Sequence, residues 1–232
     1  MSGEPIISIH HLNKKFPMAG GNFYALSQIN LSFQTAEFAG LVGPSGSGKT
    51  TLLNLIGTLD RASEGEIKIL GKELGQLSTK EAAEMRMKVL GFIFQTHNLL
   101  PIYTVYENVE LPLLLLKWQA SDRHKAVMKT LDWVGLTDKV KSRPPQLSGG
   151  QCQRAAIARV MVKGPGIVLA DEPTANLDAE NSHSVLQTMK RLNQELKTTF
   201  LFSTHDEKVI RYLDRKITLE DGKIIEDEIQ NK

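Results

Sequence analysis

The octapeptide GPSGSGKT, Gly43 to Thr50, constrains this chain more than any other stretch of it. It follows a short apolar run, Phe38 to Val42, and leads into TTLLNLIG, whose apolar spacing is helical and which stops near Gly57. Strand, glycine loop and helix in that order satisfy G-x-x-x-x-G-K-[ST] in the context the pattern needs. The glycines let backbone N–H groups wrap phosphates. Lys49 adds a point charge, and the Thr50 hydroxyl suits Mg²⁺. The competing reading, a glycine turn with a solvated lysine, does not account for the flanking strand and helix. Gly43, Pro44, Ser45, Gly46, Ser47, Gly48, Lys49, Thr50 and Thr51 are therefore the first candidate binding residues.

The rest of the chain supplies elements for a larger fold. Ile6 to Leu12, Tyr24 to Leu26 and Ile29 to Phe33 read as short strands separated by a Gly-Gly-Asn turn and polar breaks, which predicts an antiparallel patch. Glu66 to Leu70 and Val89 to Phe94 read as two further strands. From about Thr96 to Val162 helix signals take over. Thr104 and Glu107 have capping-box spacing, Val127, Leu131 and Val134 share a face ahead of Gly135, and LSGGQ opens a helix that runs to Gly164-Pro165. Strand character returns at Ile167 to Ala170 and at Thr199 to Ser203. Between them Val185, Met189, Leu192 and Leu196 lie on one helical face, and a hairpin of 216–219 and 223–226 closes the chain around Asp-Gly. The alternation predicts an α/β fold with a mainly parallel sheet covered on both faces. One domain over 1–232 is expected, its core and β-subdomain in 1–95 and 163–232, with an inserted helical subdomain at about 96–162.

Composition removes several functions. A net charge of +2 with both signs interspersed gives no basic stripe, so nucleic acid is not an expected partner. A single cysteine excludes an intramolecular disulfide and fits a reducing compartment, the cytosol. The start, MSGEPIISIHHL, has no basic region ahead of an apolar one. The longest apolar run, Leu111 to Leu116, is far below the roughly 20 residues of a spanning helix, so the chain is expected neither to enter nor to cross a membrane by itself.

Two more strand ends carry chemistry. IVLADEP places Asp171 and Glu172 at the C-terminal end of an apolar strand, the edge where open α/β sheets bind ligands. Asp171 is placed to hold Mg²⁺ and Glu172 to orient or deprotonate a water. Alone, two such acids are more often a helix cap or a solvated turn. A phosphate loop upstream needs a metal ligand and a water-positioning group and favours the functional reading. His205 follows FLFS onto the same edge, with Asp206 as a possible structural partner, whereas His10, His11, His97, His124 and His183 lack that placement. Gln95, also at a strand end, offers an amide oxygen to a metal or a water. LSGGQ is a second phosphate grip, a helix start with unpaired N–H groups, in the helical lobe. It has no evident route to the nucleotide on Lys49 of its own chain, and a second copy turned head to tail would present it. An exposed glycine-rich cap is the plain alternative.

Taken together, GPSGSGKT, Gln95, LSGGQ, IVLADEP, ANLD and His205 resemble, in order and approximate spacing, an ATP-binding cassette (ABC) nucleotide-binding domain of the P-loop NTPase class. The resemblance covers nearly the whole chain. It implies a Walker A motif at Gly43 to Thr50, a Q-loop at Gln95, a signature at Leu147 to Gln151 including Ser148, Gly149 and Gly150, a Walker B motif ending at Asp171, and a D-loop from Asn176 to Asp178. It implies catalytic roles for Glu172, His205, Gln95 and Lys49, and metal contacts from Thr50, Gln95 and Asp171. ATP and Mg²⁺ are the implied ligands, sandwiched between two copies of the domain, so that hydrolysis drives an integral membrane permease on its cytoplasmic face. Membrane contact is expected only through that permease.

GFIFQTHNLLPIYTVYENVELPL and DEPTANLD look like the lipoprotein-release and macrolide-export (LolD-like and MacB-like) group, which implies a bacterial source. An FtsE-like regulatory ATPase and a non-transport cassette are the alternatives. The second usually carries a coiled-coil insertion or another cassette, and this chain has neither. Against the family pattern, Cys152 replaces a usual Gln or Glu and Ala175 a common Gly. The adenine-stacking aromatic falls at Phe16, usually a tyrosine, with Tyr24 as second candidate. Gly40 inside the Walker A strand implies close packing by a neighbouring element.

Overall fold

A strand buried on both faces reads as an apolar run without alternation, and three such runs form the centre of the molecule. They are β3 (Phe38–Val42), β7 (Ile167–Asp171) and β8 (Thr199–Thr204), seen in a computed structural model that describes residues 4–18 and 21–230. β6 (Leu90–Ile93) joins β7 in parallel, β9 (Arg215–Glu220) joins β3 in parallel, and β10 (Lys223–Ile229) returns antiparallel to β9. The order is β10-β9-β3-β8-β7-β6, so the expected mainly parallel sheet is present.

Alternate side chains of these strands feed two cores. Phe38, Val168, Ala170, Phe200 and Phe202 face α3 (Val105–Leu115), α4 (Ala120–Trp133), α5 (Gly149–Met161) and α6 (Ala179–Leu196). Ala39, Leu41, Ile167, Leu169 and Leu201 face α1 (Lys49–Ile56) and a second sheet. That sheet, antiparallel throughout, has the order β2-β1-β4-β5, from β1 (Ile7–Met18), β2 (Gly21–Phe33), β4 (Glu64–Ile69) and the two-residue β5 (Lys72–Glu73). Both faces of the central sheet are thus covered, as the alternation of elements predicts.

The sequence reading differs from the structure in the N-terminal strands and in two helices. Instead of three short N-terminal strands there are two long ones, because the polar breaks are bulges. His11 and Gln28 have φ of 47° and 52°, and the side chains of Asn30 and Asn13 accept their N–H groups at 2.9 and 2.8 Å, so the strands run on through the irregularity. Of the Gly-Gly-Asn turn, Gly20 lies outside the described residues, while Gly21 and Asn22 already pair with Met18 and Pro17. An additional helix, α2 (Thr79–Lys88), begins at a capping box between Ser78 and Glu81. α5 ends at Met161 rather than at Gly164-Pro165, where Gly164 takes φ 65° and Pro165 has no N–H to continue a helix. Gly40 behaves as its position implies: a Cβ there would lie 2.3 Å from Leu213 Cδ1. The short α7 (Glu207–Ile210) follows β8.

Candidate functional site

The phosphate loop is built by close approach. Gly43 has φ 150°, and a Cβ on it would sit 2.1 Å from the Leu219 carbonyl of β9; Gly48 has φ 104°, and its Cβ would meet the Ala25 carbonyl at 2.6 Å. Only glycine fits either place. α1 starts directly after, so its first N–H groups and dipole end face the loop. Lys49 Nζ donates to the carbonyls of Gly43 and Pro44 at 2.7 and 2.8 Å, folded back over the loop. Burial lowers its pKa, and the nearby carboxylates of Glu172 and Asp171 oppose that shift. Ser47 Oγ is buried without a partner among the described residues. A buried cation, an orphaned hydroxyl and unpaired helix N–H groups together suit a polyphosphate.

The sheet edge brings the acids to this loop. Thr50 Oγ1 donates to Asp171, 3.1 and 3.2 Å from its two carboxylate oxygens. Hydroxyl and carboxylate oxygens side by side are the donors a hard divalent cation takes, so this pair fits Mg²⁺. Glu172 continues the strand by one hydrogen bond, its N–H donating to the Ser203 carbonyl at 2.9 Å, while its own φ of 45° turns the chain off the sheet. Both its carboxylate oxygens are held. Thr204 Oγ1 donates to Oε2 at 3.2 Å, and His205 Nδ1 lies 2.6 Å from Oε1, the tautomer with Nδ1 protonated donating to it. The partner of His205 is thus Glu172. Asp206, the alternative, instead accepts the Lys208 N–H at the start of α7. Gln95 is exposed two residues beyond β6, and its carbonyl accepts from Asn176 Nδ2 at 3.1 Å, tying the Q-loop to the D-loop.

LSGGQ starts α5 with a capping box: Ser148 Oγ accepts the Gln151 N–H at 3.3 Å, and Gln151 Oε1 accepts the Ser148 N–H at 2.9 Å. Gly150 packs where a Cβ would lie 2.0 Å from Asn181 Oδ1, and Asn181 is held by Asp178, the N-cap of α6. Gly149 faces Leu177. The signature therefore rests on the D-loop end of its own chain. Among the described residues no hydrogen bond or ion pair joins it to Gly43–Thr50.

Phe16 lies half-exposed on β1 opposite Phe23, with Lys14 Nζ 4.9 Å from its ring centroid. Two residues back, Lys14 pairs with Leu26, whose side chain reaches Gly48, so Phe16 sits on the strand flanking the phosphate loop. Tyr24 is exposed with Lys15 over its ring. Cys152 is half-buried, its Sγ 3.5 Å from the Pro144 carbonyl, and burial raises its pKa. Ala175 donates its N–H to the Glu172 carbonyl at 3.2 Å, a bond that needs no glycine. Thr204 and Asn181 escape a reading of the sequence, although Thr204 adjoins His205 and Asn181 stands three residues after an N-cap aspartate.

A phosphate loop, a hydroxyl–carboxylate pair and a held glutamate on one sheet edge define a P-loop ATPase. The family described as ABC transporter matches residues 26–175, and the chain belongs to it, as an ATPase carrying the ATP-binding cassette. The chain is 39% identical over 226 residues to the lipoprotein-releasing system ATP-binding protein LolD of Pseudomonas syringae pv. tomato, covering 97% of this chain and 100% of that one. It is 40% identical over 227 residues to the macrolide export ATP-binding/permease protein MacB of Pasteurella multocida, covering 98% of this chain but 35% of MacB. Among solved structures, the cassette MJ0796 of Methanocaldococcus jannaschii, a dimer in a post-hydrolysis state bound to ADP and Pi, superposes with a TM-score of 0.87 at 38% identity over 97% of this chain and 99% of that one.

Proposed function

We propose that the chain is the ATP-hydrolysing subunit of a bacterial transporter or mechanotransmission complex, pairing head to tail with a second copy and driving an integral membrane permease. The observation that carries this is the division of the site. Thr50, Asp171, Glu172 and His205 meet at one sheet edge, while the signature at Ser148 has its back against its own D-loop and no bond to its own phosphate loop. A second copy completes both halves. Lys49 and the α1 N–H groups hold the phosphates, with Phe16 against the base. Thr50, Asp171 and Gln95 hold Mg²⁺, which when bound offsets charge on the β- and γ-phosphates. Glu172, kept in place by Thr204 and His205, orients a water in line with the γ-phosphorus and takes its proton. Ser148, Gly149, Gly150 and Gln151 of the other copy bind the γ-phosphate.

The partner reading has its own support. Phe94, just before Gln95, and Leu100, Ile102 and Tyr103 after it are exposed apolar side chains of the kind partner proteins cover, at the start of the helical lobe at 96–162. No helix among the described residues is long and apolar enough to cross a membrane, so docking on the cytoplasmic face through the permease is the natural placement. Likeness to LolD and MacB favours lipoprotein release or export of macrolide- or peptide-like substrates.

Light scattering of Glu172→Gln with and without Mg-ATP tests the division of the site. A dimer that forms only with ATP, together with near-abolished turnover, is expected. Normal turnover removes Glu172 as the base, and a monomer with ATP demonstrably bound removes self-pairing through the signature.

A further inference from the structure

The helix that opens at the signature carries one buried group that the mechanism above leaves unused. Gln153, five residues after Ser148, is fully buried on a face it shares with Ile157 and Val160. Its Nε2 donates to the Pro173 carbonyl at 2.7 Å, and its Oε1 is buried with no partner among the described residues. The acceptor at Pro173 fixes which end of the amide is nitrogen. A methionine would fill the same space without an unpaired acceptor, so packing alone does not explain an amide here. What the amide adds is one bond, and that bond falls on the residue directly after Glu172.

The segment it grips is a tight turn, closed by the Ala175 N–H on the Glu172 carbonyl at 3.2 Å. Glu172 sits at φ 45°, outside the region a non-glycine residue prefers. The ring of Pro173 fixes its own φ, and the turn's own hydrogen bond uses the Glu172 carbonyl, which leaves the direction of the Pro173 carbonyl to the group that bonds it. Gln153 sets that direction.

We propose that Gln153 is a positioning residue for ATP hydrolysis: from the signature helix it locks the turn after Glu172 and so keeps that carboxylate aimed at the attacking water. The proposal rests on the reading of Glu172 as the base and of the signature as the partner's phosphate grip. In the head-to-tail pair, the helix that presents Ser148 to one nucleotide thereby sets the carboxylate that serves the other.

The test compares steady-state ATPase kinetics of the whole chain in wild type, Gln153→Met, Gln153→Glu and Glu172→Gln, with affinity for a fluorescent ATP analogue measured in parallel. Gln153→Met is expected to lower kcat by roughly tenfold or more, the scale of a small misplacement in a reacting site, with KM and nucleotide affinity within about twofold of wild type. In Gln153→Glu a protonated carboxyl can donate to the Pro173 carbonyl, whereas an ionised one repels it. Its kcat relative to wild type should therefore rise several-fold as pH falls from about 9 to about 6. That change occurs within one folded protein, so misfolding cannot mimic it. Wild-type kcat in Gln153→Met overturns the proposal, as does a kcat loss matched by a rise in KM, or a pH-independent ratio in Gln153→Glu. Normal turnover in Glu172→Gln would instead remove the underlying assignment of the base. Loss of turnover there with wild-type Gln153→Met removes the role of Gln153 alone.

Discussion

At the residue scale, two of the three loop glycines with positive φ separate steric need from backbone need. Gly43 has φ 150° and the Leu219 carbonyl 2.1 Å from its would-be Cβ, whereas Gly46 has φ 83° and nothing within 4 Å. Gly46→Ala should therefore cost only the left-handed penalty, about 1 kcal/mol. Gly43→Ala adds a clash with backbone that cannot move without pulling β9, and roughly 1–3 kcal/mol more is expected. Urea unfolding without nucleotide measures both, and equal losses would show that the loop yields more than its contacts imply. Lys49 belongs to the same scale. Lys49→Ala removes the side-chain cation that sits on the loop carbonyls, and nucleotide affinity should fall by at least about tenfold, the loss of one charge-assisted contact. Isothermal titration checks it.

At the element scale, α5 acts as a rod joining distant loops. Its first turn is the signature, Gln153 reaches Pro173, and Arg159 donates to the Asn98 and His97 carbonyls at 2.6 and 3.0 Å from a largely desolvated position. Arg159→Met should leave both carbonyls unpaired, cost about 2 kcal/mol, and speed amide exchange over residues 96–100 more than elsewhere in the helical segment. Uniform exchange would show that Arg159 does not restrain that loop. The rod also shows where sequence stops being legible. The start of α5, the Thr104 cap of α3 and the order of the motifs are local patterns and were readable. The Ser78–Glu81 box that starts α2 is equally local, but the helix behind it buries only Met85 and has no apolar face to announce it. The merging of three short strands into β1 and β2 was not readable, because it depends on Asn13 and Asn30 reaching across the hairpin to satisfy bulged donors. At the site, Asp171, Glu172, His205 and Lys49 announced themselves by type and position. Thr204, Asn181, Gln153 and Arg159 act through contacts with residues far along the chain, which spacing does not reveal. The strand order is of the same kind, since β3 lies between β8 and β9, more than 150 residues away.

At the scale of the whole molecule, the central sheet has two edges, and a partly buried cation lies near each. On one side Arg215 donates to both Asp227 oxygens of β10 at 2.7 Å, to Glu37 ahead of β3 at 3.0 Å and to the Ser32 carbonyl of β2 at 2.7 Å, so it binds the two sheets to each other. On the other, Lys163 leaves the end of α5 and donates to the Arg86 and Leu90 carbonyls at 2.8 and 2.6 Å, joining the helix layer to α2 and to edge strand β6. The two cations answer pH differently. Arg215 stays charged through any accessible range. Lys163 has no carboxylate partner among the described residues, and burial lowers its pKa from 10.5 to about 8. Below about pH 8 the folded state therefore carries the full cost of a desolvated ammonium. Between 8 and 10.5 the unfolded chain holds more proton at this site than the folded one, so the contribution of Lys163 to stability rises with pH across that window, by roughly 3 kcal/mol at most. Lys15 and Lys216 have raised values and act in the opposite sense, so the raw pH profile mixes signs. The difference between wild type and Lys163→Met cancels them. That difference in unfolding free energy should move steadily in favour of wild type from about pH 7.5 to about pH 10. A difference that stays flat would mean that Lys163 keeps its ordinary pKa, and that the β6 edge is more open to water than its two carbonyl bonds imply.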